Sequence, residues 1–127
     1  MDLCPFCVEI QAGSCLASSE FAVAFADRYP VATGHALVVS RSHVASLYDL
    51  DAVEQAAVWD LAAHVRCMLA LRHQPDGFTI GINVGVAAGQ TVSHAHVHVI
   101  PRYQGDIADP RGGIRWVLPQ HAAYWTI

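Results

Sequence analysis

From residue 94 the chain reads HAHVHVI, three histidines alternating with Ala95, Val97 and Val99. Successive side chains of a β-strand point to opposite faces, so this spacing puts His94, His96 and His98 on one face and the small apolar residues on the other. Alternate Cα atoms lie about 6.8 Å apart, which makes the imidazoles neighbours while leaving each free to serve its own partner. The apolar face needs a cover, and the chain supplies one. Leu50, Val53, Ala57, Leu61, Val65, Met68 and Leu71 recur at helical spacing, with Glu54, Asp60 and Arg66 off that stripe. They predict one amphipathic helix of about six turns, started by Asp49 or Asp51 and ended by Pro75-Asp76-Gly77.

The remaining strands are shorter. Ser14–Ala17, Phe21–Ala26 and His35–Ser40 read as three strands before the helix, and Phe78–Val84 as one after it. The histidine strand runs from Val92 to Ile100 and is stopped by Pro101. The connections within each group are too short for crossovers, so an antiparallel sheet of about five strands with one long helix packed on it follows, an α+β fold. With 127 residues, 54% of them hydrophobic and 14% charged, the chain fits a single domain: a knuckle at 4–7, a core over 14–103 and an ordered but irregular tail over 106–127. A net charge of −4 gives no footprint for general nucleic-acid binding. No apolar run reaches the ~20 residues of a membrane-spanning helix. The start, MDLCPFC, lacks a basic n-region, so a cytoplasmic location is expected.

Three imidazoles on one face admit several chemistries. A His-x-His pair can hold zinc, with an open coordination position for water, as in a zinc hydrolase. Cys4-Pro-Phe-Cys7 starts a separate, closed metal site that needs two more ligands, for which His43 and one triad histidine are available. Cys67 lies in the helical pattern and is expected as a small buried hydrophobe; Cys15 stays undecided. Alternatively, a neutral imidazole attacks phosphorus and forms a phosphoramidate that water later hydrolyses. That role needs an acceptor on the other ring nitrogen, a backbone carbonyl or a flanking histidine. It also needs donors aimed at the phosphoryl oxygens, for which a neighbouring protonated histidine is suited. The Gly- and Ala-rich loop Asn83–Thr91, ending in an amide and a hydroxyl, runs directly into the histidine strand and suits close approach of a phosphate.

The run GQTVSHAHVHVIPR resembles the signature of the histidine-triad (HIT) nucleotide hydrolases and transferases. Phe25-Ala-Asp27…Pro30…Gly34-His35-Ala-Leu-Val-Val…His43 and Asn83-x-Gly85…Gly89-Gln90 extend the resemblance over roughly residues 4–105. The family pattern implies that His96 is the nucleophile, that His98 contacts the phosphate and that His35 orients the ring system. It assigns Gln90, Thr91 and Asn83 to the phosphate and leaving-group atoms and Asp27 to the ribose hydroxyls. Ile10, Phe21 and Phe25, with Phe6 less strongly, fall where the family forms its purine slot. In zinc-bearing members the positions of Cys4, Cys7, His43 and His94 hold structural zinc. PRYQGDIADPRGG resembles the tail of prokaryotic dinucleoside polyphosphate hydrolases, with Arg102, Arg111 and Arg115 available for extra phosphates. The competing branch cleaves nucleoside phosphoramidates. Where the family commonly has Pro-Lys before the second-half histidine, this chain has Ser40-Arg41-Ser42-His43. Homodimers paired through the long helix and a sheet edge are the family's usual state. Two other classes stay open: a zinc-dependent hydrolase with His94, His96 and His98 as ligands, and a non-catalytic nucleotide-binding module.

Overall fold

The computed structural model describes residues 3–126; Met1, Asp2 and Ile127, at the two ends of the sequence reading, lie outside the described residues. Two α-helices, α1 (Pro5–Ala12) and α2 (Ala52–His73), accompany five strands: β1 (Ala17–Ser18), β2 (Ala22–Ala26), β3 (Ala36–Ser40), β4 (Gly77–Gly81) and β5 (His96–Arg102). The strands form one sheet in the order β1-β2-β3-β5-β4, with every neighbouring pair antiparallel. This is the expected architecture, but β1 lies at Ala17–Ser18, sharing only Ala17 with the expected Ser14–Ala17, and β4 ends at Gly81 and not at Val84.

Helix α2 has 22 residues and begins where the Asp51 carboxylate accepts the Glu54 N–H at 2.8 Å. Asp49 belongs instead to a capping box with Ser46 on the preceding 3-10 turn, Leu47–Asp49. The buried stripe of α2 is Val58, Leu61, Ala62, Val65 and Leu69. It shares only Leu61 and Val65 with the predicted stripe. Val53 and Leu71 are 65% and 84% exposed, and Cys67 is exposed, not buried. Two apolar stripes overlap on this helix, and the sheet below selects the one that meets Ala22, Ala24, Ala36, Val38, Val97 and Val99. Three alanines at those positions let the helix approach the strands closely.

The opposite face of the sheet carries Val23, Phe25, Leu37 and Val39, joined by Phe6 of α1. The register pairs Leu37 with His98 and Val39 with His96, so the two histidines stand on this second face, away from α2. Strand β5 starts at His96, four residues later than the predicted Val92, and runs through Pro101. Asp76 N–H donates to the Arg102 carbonyl, which directs Arg102 toward β4 and the Pro101 nitrogen toward β3. The β3 ladder ends at Val99, so the missing N–H leaves no bond unmade. The tail expected to be irregular folds as three 3-10 turns, Gly113–Val117, Pro119–His121 and Tyr124–Thr126.

The helix face is testable with two valines on α2. Val58→Ala is expected to lower the unfolding free energy by about 2 kcal/mol and Val53→Ala by less than about 0.5 kcal/mol, measured by urea denaturation. Equal losses would contradict the observed rotation of α2.

Candidate active site

A cavity of about 490 Å³ opens on the second face of the sheet. His96, His98 and His35 lie on its floor, α1 forms one wall and the 83–92 loop another. His96 is nearly buried, and its ring packs edge-on against Phe6 at a centroid distance of 4.9 Å. Its Nδ1 lies 2.7 Å from the His94 carbonyl oxygen. A carbonyl only accepts, so Nδ1 carries the proton and Nε2 keeps its lone pair. Of the two acceptors considered from sequence, the backbone carbonyl is the one found.

His98 and His35 form a second fixed pair. Val31 N–H donates to His35 Nδ1 at 3.1 Å, which puts the proton of a neutral His35 on Nε2. That Nε2 is 3.0 Å from His98 Nδ1 and 3.3 Å from Asp27 Oδ2. His98 therefore accepts at Nδ1 and presents Nε2–H as a donor. Burial, reinforced by His96 and His35 and opposed by Asp27, pushes the His98 ring down to about 4. Burial also lowers His35, against the pull of Asp27. The donor next to His96 is thus a neutral imidazole at pH 7, not the protonated one anticipated from sequence.

The loop wall is set by Gln90. Its Oε1 accepts from Gly85 N–H at 2.9 Å, and its Nε2 donates to the carbonyls of Ala45 and Val92 at 2.7 and 3.0 Å. Both ends of the amide are committed, so Gln90 braces the loop. Gly85 and Gly89 have φ of 90° and 93°, the left-handed region that favours glycine. Asn83 and Thr91 also line the cavity. Asp27 lines it while its Oδ1 accepts from Tyr29 N–H at 2.8 Å, capping the turn before Pro30.

Not every predicted residue arrives. Phe25 and Phe6 line the cavity, but Phe21 precedes β2 and sits in a separate groove against α2, and Ile10 packs behind the wall. Arg102 bonds Asp106 and Thr79, Arg111 bonds Asp109, and Arg115 bonds the Ala122 and His121 carbonyls. None of the three lines the cavity. Pro5, Glu9, Arg28, Tyr29, Val31 and Leu37 do; Phe6, Glu9 and Pro5 share a face of α1, a helix too short for its periodicity to be read from sequence.

His94 does not join this floor. A tight turn, with His94 N–H bonded to the Val92 carbonyl, precedes β5, and the fully buried His94 ring meets Cys4, Cys7 and His43. Its Nδ1 is 3.4 Å from Cys4 Sγ, 3.7 Å from Cys7 Sγ and 3.1 Å from His43 Nδ1, and Cys7 Sγ is 3.4 Å from His43 Nδ1. A tetrahedral zinc with bonds of about 2.3 Å to sulfur and about 2.0–2.1 Å to nitrogen separates its ligand atoms by roughly 3.4–3.8 Å. The four donors fit that ion. His94 Nε2–H donates to the Ser40 carbonyl at 2.6 Å, which fixes the tautomer that leaves Nδ1 free to ligate. Burial lowers His94, favouring the neutral ring a metal ligand needs. Among the described residues, no potential metal group unites the three triad histidines. Asp27, His35 and His98 also lie close together, but Val31 N–H on His35 Nδ1 leaves the Nε2 proton where a metal would have to sit.

A HIT-domain model matches residues 11–105. The chain belongs to the HIT family. A HIT-like protein of Mycoplasma genitalium is 36% identical over 80% of this chain and 74% of its own length. The asymmetrical bis(5'-nucleosyl)-tetraphosphatase of Schizosaccharomyces pombe is 34% identical over 72% of this chain, which spans about half of that enzyme (50%). Among solved structures, a zinc-bound histidine triad family protein from Mycobacterium smegmatis superposes with a TM-score of 0.74 at 31% identity, over 84% of this chain and 79% of that one.

The depressed His98 ring has a measurable consequence. The unfolded chain binds this proton near pH 6.5 and the folded chain only near 4, so the contribution is a loss of stability as pH falls through that window. It amounts to at most about 3 kcal/mol. The His98 ring resonances in NMR are expected to titrate near pH 4; a midpoint near 6.5 would contradict the buried, neutral pair.

Proposed function

We propose that the chain is a nucleotide hydrolase that cleaves dinucleoside polyphosphates through a covalent nucleotidyl intermediate on His96. The observation that carries this reading is the His96 tautomer. Its Nδ1–H is held by the His94 carbonyl at 2.7 Å, and the free Nε2 lone pair belongs to the cavity whose other walls carry Asn83, Thr91 and the His98 donor. In the first step Nε2 attacks the α-phosphorus, the bond to the leaving phosphate oxygen breaks, and that oxygen keeps the electron pair. Water then attacks the same phosphorus and expels Nε2, which regains its lone pair, while a proton of the water passes to solvent and the nucleoside monophosphate is released. His98 Nε2–H donates to the phosphoryl oxygens in both steps. Asp27 accepts from the ribose hydroxyls with the lone pairs not used by Tyr29, and Phe6, Phe25 and Leu37 flank the base.

The leaving group follows from the same hydrogen bonds. A polyphosphate departs as a stable anion, whereas an amine must be protonated as it leaves. His98 is neutral, and His35 cannot replenish it without breaking its bond from Val31 N–H. This arrangement favours the anhydride over the phosphoramidate, in keeping with the tetraphosphatase activity for which the fission-yeast relative is named. Zinc bound by Cys4, Cys7, His43 and His94 ties α1 to the start of β5, a contribution to folding and not to the reaction.

During turnover of a dinucleoside tetraphosphate, quenched protein is expected to gain the mass of one nucleoside monophosphate residue on His96, and His96→Ala to lose at least about a thousandfold in kcat. The value of kcat/KM for diadenosine tetraphosphate is expected to exceed that for an adenosine phosphoramidate. A missing adduct, together with one zinc held by all three triad histidines, would overturn the reading. Separately, elemental analysis is expected to find one zinc per chain, lost in Cys7→Ser and retained in His98→Ala.

A further inference from the structure

One ion pair at the cavity has no part in the steps above. Arg28 Nη2 donates to Glu9 Oε1 at 3.0 Å, with the Arg28 side chain 71% and the Glu9 side chain 29% exposed. Exposed pairs of this kind add little to stability, so its position needs another account. Phe6, which touches His96, and Glu9 lie one turn apart on the same face of α1. Arg28 directly follows Asp27. Both charged residues line the same cavity as the histidines. If phosphate lies over His96 and His98 and ribose beside Asp27, the next group along this wall is the base.

We infer that Glu9 and Arg28 read the edge of the base and select guanine over adenine. This inference rests on the nucleotide reading of the cavity. Side by side, the pair offers carboxylate acceptors next to guanidinium donors. Guanine matches that order with N1–H and the 2-amino group as donors and O6 as an acceptor. A carboxylate has lone pairs enough to take both guanine donors while keeping its bond from Arg28. Adenine in the same place offers one donor, its 6-amino group, and turns the N1 lone pair toward the acid. A site that hydrogen-bonds its ligand rejects the analogue that leaves those groups unmatched more strongly than an apolar slot does.

The test is titration calorimetry of the full chain with guanosine, inosine and adenosine 5'-monophosphates. Inosine lacks only the 2-amino group. The guanine nucleotide is expected to bind about tenfold or more tightly than either of the others. Glu9→Gln is expected to bring it down to the inosine level, and Arg28→Ala to weaken guanine and inosine nucleotides together, because both keep O6. Equal affinity for all three, or a guanine preference over inosine that survives Glu9→Gln, overturns this inference and leaves the nucleotide site standing. Binding of none of them overturns the nucleotide reading and this inference with it.

Discussion

His94 is fully buried, and a buried imidazole is costly unless each of its polar groups has a partner. Here every one of them is used to join a different part of the chain. Nε2–H ends on the Ser40 carbonyl at the close of β3, and Nδ1 faces the thiols of α1 and the ring of His43. Its own carbonyl receives the Nδ1 proton of His96. The tautomer of His96 is therefore set by the backbone of the residue whose side chain faces the candidate metal group. The knuckle and the carbonyl that holds His96 thus meet at one residue.

Around this point the sheet divides labour between its faces. Alanines and valines admit α2 on one side, and the close fit makes that side a rigid support. On the other side, larger aromatic and imidazole rings border a cavity beside a smaller apolar cluster. Burial of the rings on the cavity floor drives His98 toward the neutral state. The structure answers by chaining donors: Val31 to His35, His35 to His98, each accepting on one nitrogen and donating from the other. Such a chain fixes direction as well as position, because reversing one ring would leave two lone pairs or two protons face to face.

Much of this was legible in the sequence. Alternation at His96–Val99 and the length of α2 are local properties, and both are found as read. The rotation of α2 was not, because Val53, Met68 and Leu71 form a second apolar line beside Val58 and Leu69, and only the tertiary contact chooses between them. Family position alone puts Phe21 in the purine slot, whereas in the structure it precedes β2 and lines the groove against α2 instead of the cavity. The donor set of Cys4, Cys7, His43 and His94 came from matching family positions; spacing alone left the fourth ligand open. Hydrogen-bond commitments were beyond reach altogether. Gln90 reads as a phosphate contact by position, yet both ends of its amide are used within the protein.

The cationic side chains complete the electrostatic picture. All seven basic residues are arginines, and Arg102, Arg111 and Arg115 are held by acids or carbonyls outside the cavity. The one arginine lining it, Arg28, lies with Glu9 away from the triad. The histidine end of the cavity is thus furnished with neutral donors, set in a protein of net charge −4. Fixed cations there would hold substrate and anionic product alike. Neutral, prealigned dipoles gain most when charge builds on the phosphoryl oxygens, which is where binding accelerates a reaction instead of only tightening the ground state. For the proposed reaction, in which nucleotide and polyphosphate must leave after each cycle, an acidic chain would be well served by that choice.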